Sequence, residues 1–191
     1  MRFIDTTYFG SGLPTFITNI DLSTGNLSNK TAFETFIGDK EVSWMEAYFG
    51  YELAKIIIAA FDASVAVSPT PLPTKYADII TGAEFTDSQG NLQKWKGLTR
   101  ADKVSPIAGY VYFLWRRQNV TSTNQQGEVL NAIENSTLEG PVNKQAQNWN
   151  DAIEQNHILY EFMTVNIANY SEWRNNWSKA QRNLLTKVTA L

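Results

Sequence analysis

The 191-residue chain has no cysteine and a single histidine, His157. Without thiols it forms no disulfide, offers no thiolate nucleophile and holds no cysteine-ligated metal. With one imidazole it builds neither a multi-histidine metal site nor a two-histidine proton relay. A long apolar run is also missing: the most apolar stretch, LAKIIIAAF at 53–61, contains Lys55 and is far shorter than the roughly 20 residues that span a bilayer. The opening MRFIDTTYFGSG has no basic region followed by an apolar run, so no secretory signal is expected. These absences lead us to expect a soluble, unsecreted protein with no membrane partner. Positive charge is not in excess either, with a net charge of −3 and a pI near 5.2. A monomer of this composition lacks the broad basic face that dominates nucleic-acid affinity. No glycine-rich phosphate loop, nucleophile elbow or dinucleotide fingerprint occurs in the sequence.

Acidic pairs are equally uninformative. Glu154 and Glu161, and Glu46 and Glu52, are too far apart along a helix to form the close pair that two-carboxylate hydrolysis requires. Asp87–Asn91 (DSQGN) lacks the alternating oxygen ligands and terminal glutamate of a calcium loop and reads as a turn. The expectation is therefore a non-enzyme with no cofactor and no metal.

What is present is apolar and aromatic: 43% of residues are hydrophobic and 13% aromatic, against 18% charged, enough for one sizeable core. The expected fold class is mainly α: a bundle of long helices, one small β-hairpin and an extended N-terminal arm. Residues 1–38 read as the arm, because 5–31 are rich in Thr, Ser, Gly and Asn with isolated apolar clusters. Residues 39–175 read as the helical domain, and 176–191 as a weakly amphipathic tail helix. Within the domain, Val42, Met45, Phe49, Leu53, Ile56 and Ala60 predict one helix over 39–63. The prolines of SPTPLPT (68–74) end it, and KYADIITG (75–82) is a short helix closed by Gly82. AEFTDSQGNLQKWKG then alternates apolar and polar residues around a corner, which predicts a hairpin over 84–96. A helix over 101–118 follows, with Pro106 tolerable in its first turn and Arg116 and Arg117 near its end. The polar stretch 121–140 exceeds a usual connection. Pro141 opens the longest helix, to about 173, with a seam of alternating four- and three-residue steps that Asn156 interrupts.

The candidate interface residues are aromatic and positional. Phe85, Lys94, Trp95 and Lys96 mark the hairpin, and Trp95 either covers the chain's own core or meets a partner. Asn156 either sets register in an oligomer or sits on a partly open helix face. Tyr170, Trp173 and Trp177 form an aromatic stripe near the C-terminus, with Trp173 and Trp177 flanked by Arg174, Asn175 and Asn176.

Tyr76, Asp78, Gly82, Lys94, Trp95, Gly97 and Leu98, followed by Tyr110, Tyr112, Thr121 and Gly127, give residues 40–175 a pattern that resembles the head-to-tail connector (portal adaptor, neck ring) proteins of tailed bacteriophages, those of crAss-like phages infecting Bacteroidetes in particular. The resemblance implies a structural virion protein at the head–tail junction, assembled in the bacterial host cytoplasm. It implies a homo-oligomeric ring, of twelve copies, that contacts the portal protein and the next tail or neck protein. DNA would pass through the channel without sequence-specific binding, with Arg116 and Arg117 as candidate channel residues. No cofactor is implied. The alternatives are another neck or tail ring protein, or a non-virion adaptor that binds protein through the aromatic C-terminal stripe.

Overall fold

The computed structural model describes residues 3–9, 27–119, 121–124, 127–130, 141–173 and 179–187. Mainly helical, as expected, it contains six α-helices among these residues: α1 (Leu27–Phe49), α2 (Tyr51–Ser64), α3 (Thr74–Thr81), α4 (Pro106–Asn119), α5 (Pro141–Val165) and α6 (Lys179–Asn183). Two antiparallel two-stranded sheets accompany them: β1 (Ala83–Thr86) with β2 (Leu92–Trp95), and β3 (Thr121–Asn124) with β4 (Gly127–Leu130).

Four boundaries differ from expectation: α4 begins at Pro106 rather than at residue 101, and three others differ for local reasons. The first helix begins inside the segment read as an arm, because Phe33 and Ile37 continue the apolar spacing of Trp44 and Tyr48 one turn at a time and all four are buried. Phe3–Phe9 also packs on the core, with Phe3, Ile4, Tyr8 and Phe9 buried; residues 10–26 of the expected arm lie outside the described residues. The helix expected over 39–63 is broken at Gly50, whose φ of 80° and ψ of 157° fall in a region open essentially to glycine alone. Apolar spacing runs on from Phe49 to Leu53 and Ile57, which conceals the break. Third, α5 stops at Val165, and a 3-10 turn at Ile167–Asn169 carries the chain to Trp173. Part of the stretch expected to be a polar connection forms the second hairpin, β3–β4.

The core lies where α1, α4 and α5 meet. Gly109 of α4 faces Ala152 of α5 so closely that a methyl group at Gly109 would stand 2.7 Å from the Ala152 Cβ. Rings then fill the layers on either side. Trp44 stacks on Tyr48 with centroids 4.9 Å apart, Phe33 meets Trp115 at 4.7 Å, and Phe113 meets Trp149 at 4.7 Å. Pro106 occupies the first position of α4, where its missing N–H costs no helical hydrogen bond.

The C-terminal segment packs back on α5. Trp149 Nε1 donates to the Thr186 carbonyl at 2.9 Å, Asn156 Nδ2 donates to the Leu184 carbonyl at 2.7 Å, and Leu184 and Leu185 are buried. Residues 188–191 of the expected tail lie outside the described residues.

Candidate functional site

The β1–β2 hairpin is anchored both at its root and at its corner. Its register pairs Ala83 with Trp95, Glu84 with Lys94, Phe85 with Gln93 and Thr86 with Leu92. Alternation along β1 turns Phe85 inward, where its ring meets Phe162 edge-on at 5.5 Å, and leaves Glu84 and Thr86 outside. At the base, α3 and the end of β2 approach until their backbones touch. A Cβ on Gly82 would stand 2.5 Å from the Trp95 carbonyl oxygen, and one on Gly97 would stand 2.5 Å from the Thr81 carbonyl carbon. Two glycines facing each other across this contact permit it. Trp95 then locks the joint: its indole is buried, and Nε1 donates to the Ile79 carbonyl at 2.8 Å. The Thr99 N–H donates to the Ile80 carbonyl at 2.9 Å.

The corner is equally fixed. Asp87 Oδ1 accepts from the backbone N–H groups of Gln89 at 2.9 Å and Asn91 at 2.7 Å. Its Oδ2 accepts from the side-chain amides of Asn91 and Gln93. Donation from the Asn91 backbone, reinforced by these amides, lowers the carboxyl pKa from its ordinary value of 3.8 against a smaller opposing effect of burial. The carboxylate thus serves the turn, in keeping with the reading of 87–91 as a corner rather than a cation loop. What remains on the surface is the outer face: Leu92 is 73% exposed, and Glu84 and Lys94 form a solvent-exposed ion pair at 3.9 Å.

These placements correct several expectations about interface residues. Phe85 and Trp95 are core residues of the chain itself, because the same alternation that exposes Glu84 and Lys94 turns both inward. Asn156 is buried between α1 and the C-terminal segment. Its backbone carbonyl accepts from the Tyr48 hydroxyl at 2.8 Å and its side-chain Nδ2 donates to the Leu184 carbonyl, so the side-chain amide is used inside the fold rather than for register between copies. Tyr170 is buried with its hydroxyl donating to the Lys75 carbonyl at 2.7 Å. Trp173 is buried edge-on against Tyr160 at 5.6 Å, despite its polar sequence neighbours. Trp177 lies outside the described residues. With Tyr170 and Trp173 inside, the aromatic stripe offered for an adaptor is largely core.

The chain matches no protein-family model, no curated protein and no solved structure.

Of the expected set, Lys94 and Lys96 are exposed, and they border a cleft of about 330 Å³ between the end of β2 and α5. Arg100, ion-paired with Asp102, lines the cleft together with Asp151 and Glu154. Burial, with the nearby Glu154 adding to it, raises the Asp151 pKa, while Glu154 pairs with Lys187 at 2.6 Å. Its lining combines cationic and anionic side chains with apolar Trp95, Val104 and Ile158, so the cleft selects no single charge. Arg116 is half-buried and Arg117 exposed on the last turn of α4. Arg117 shares a shallow hollow with Lys40 of α1, and neither makes an ion pair among the described residues. His157 is exposed, and among the described residues no group of three or more His, Asp or Glu is placed to hold a metal. No described helix is long and apolar enough to cross a membrane.

A residue missed in the sequence is Glu41. It occupies an apolar-stripe position of α1, is 1% exposed, and accepts from the backbone N–H groups of Phe3 at 2.9 Å and Ile4 at 2.8 Å through one oxygen. Its place in the register, four residues after Ile37 and three before Trp44, was the available signal.

Proposed function

We propose that the chain is a structural, non-enzymatic ring component of a tailed-phage neck, a head-to-tail connector beneath the portal that holds the next tail protein while DNA passes through. The hairpin carries this reading. Its root is fixed by Gly82, Gly97 and Trp95, its corner by Asp87, and its outer face presents Leu92 beside the Glu84–Lys94 pair. A rigid element with unpaired strand edges and an exposed apolar side chain suits contact with a neighbouring subunit, because its backbone groups and shape are already ordered before association. Tyr76, Gly82, Trp95, Gly97 and Leu98, which carry the resemblance to connectors, are residues of this joint and its buried surroundings.

The interface assignment therefore moves outward, from Phe85 and Trp95 to Glu84, Leu92, Lys94 and Lys96. Arg117 and Lys40 supply local positive charge on a chain that is acidic as a whole, in keeping with a channel that passes DNA without reading it. Cryo-electron microscopy of the chain alone and bound to portal tests the proposal. It expects a closed ring with this hairpin at a subunit contact or an axial face. A chain that neither closes into a ring nor binds portal refutes it.

A further inference from the structure

The cleft between the end of β2 and α5 is lined by three cationic and three anionic side chains, and the protein itself matches only some of them. Lys94 pairs with Glu84 at 3.9 Å, Arg100 with Asp102, and Glu154 with Lys187 at 2.6 Å. Lys96 and Asp151 are left over, and neither makes an ion pair among the described residues. They also stand apart, because the charges that act on the Asp151 carboxyl are those of Glu154 and Lys187. Asp151 Oδ2 is in addition buried with no hydrogen-bond partner among the described residues, a condition that costs free energy until a donor reaches the carboxylate. Burial first, and the Glu154 charge second, raise the Asp151 pKa, as expected of a carboxylate that the fold leaves uncompensated.

Two unmatched charges of opposite sign, separated along one cleft that also presents Trp95, Val104 and Ile158, describe a ligand by complement. We propose that the cleft binds an extended zwitterion: a molecule with an ammonium group for Asp151 and a carboxylate for Lys96, joined by an apolar stem. A ligand of single charge satisfies one of the two groups and leaves the other unmatched. The stem is required because Lys96 and Asp151 do not come within ion-pairing distance of each other, and it meets the apolar part of the lining. The volume of about 330 Å³ lies at the low end of small-molecule sites, which suits a single alkyl chain rather than a dinucleotide. This chemistry has two sources. One is a free ω-amino acid, and the other is a lysine that ends a polypeptide, whose side-chain stem holds the ammonium group away from the terminal carboxylate. Every residue of the cleft belongs to one chain, so the site does not depend on the connector reading.

Titration of the wild-type chain with ε-aminocaproate, followed by nitrogen–proton correlation NMR at the Lys96 and Asp151 amides, tests the proposal. Caproate, which lacks the ammonium group, and hexylamine, which lacks the carboxylate, are the controls. The expected result is saturable binding of ε-aminocaproate, roughly tenfold or more tighter than of either control, because each control gives up one charge-assisted contact. Asp151→Asn and Lys96→Gln should each weaken that binding by about tenfold. Lys96 is exposed, so Lys96→Gln carries the test even where Asp151→Asn disturbs the fold. A peptide that ends in lysine separates the two sources: binding tighter than that of ε-aminocaproate, and lost on amidation of its C-terminus, assigns the cleft to the chain end of a partner, and weaker binding assigns it to a small molecule. Absence of saturable binding, equal affinity for ε-aminocaproate and its controls, or binding that Lys96→Gln leaves unchanged overturns the proposal. None of these results touches the connector reading.

Discussion

Replacing Gly82 with Ala tests the hairpin root most sharply, because Gly50 supplies an internal control. Both glycines sit in the same backbone region, Gly82 at φ 97°, ψ 157° and Gly50 at φ 80°, ψ 157°. A residue with a Cβ pays roughly 1–3 kcal/mol to remain there. At Gly50 nothing lies within 4 Å of the added methyl, so Gly50→Ala should lower stability by about that amount and no more. At Gly82 the methyl would stand 2.5 Å from the Trp95 oxygen and 2.7 Å from the Lys96 carbonyl carbon. These are backbone atoms that cannot swing aside. The joint must open, straining the Trp95–Ile79 and Thr99–Ile80 hydrogen bonds, each worth about 1 kcal/mol. Gly82→Ala should therefore cost roughly 3–5 kcal/mol, about 2 kcal/mol more than Gly50→Ala. Gly97→Ala should behave alike, and the double variant should cost less than the sum, since one displacement relieves both contacts. Urea unfolding followed by tryptophan fluorescence measures all four. Equal costs at Gly50 and Gly82, within about 0.5 kcal/mol, would show that the close approach at the root is not stabilising the fold.

Three further outcomes follow from the same geometry. Trp95→Ala should destabilise the chain by roughly 3–5 kcal/mol in chemical denaturation, as expected for an aromatic removed from a core, rather than leave a folded monomer that fails only to assemble. Leu92→Asp, by contrast, should change monomer stability by no more than about 0.5 kcal/mol, as surface substitutions usually do, while sedimentation velocity shows assembly lost. Asp87, whose pKa is lowered on folding from 3.8, contributes stability that is fully present above that value and is lost as pH falls through the folded-state pKa. Denaturation midpoints of wild type and Asp87→Asn should therefore differ by a constant amount at neutral pH and converge in acid below 3.8; a gap that persists unchanged in acid would contradict the carboxylate's role in the corner.

Local signals made much of this fold legible. Three prolines and Gly82 bracketed α3, and the alternation around DSQGN announced the hairpin, because turns and caps depend on a few residues near in sequence. The α5 seam was readable in part: Ala146, Trp149, Ile153 and Met163 are buried, whereas Tyr160 is half-buried and Ile167, past the helix end, is exposed. The break at Gly50 was hidden because apolar spacing continues through it. Glu41 was passed over because a charged residue in a stripe reads as an interruption, whereas here it satisfies the backbone of a segment 37 and 38 positions away. Trp95, Tyr170 and Trp173 show the same limit at the candidate site. An aromatic residue is equally at home in a core or an interface, and only the tertiary arrangement, with Ile79 and Lys75 carbonyls waiting for Trp95 and Tyr170, decides between them.

A ring component must self-associate, although this chain already hides most of its described aromatic residues. Mass photometry of the purified protein, alone and with the portal protein that the proposed function requires, over a range of concentrations, measures this directly. A connector gives one discrete population at a fixed multiple of 21.5 kDa, alone or added to portal. A single 21.5 kDa species under every condition would contradict it.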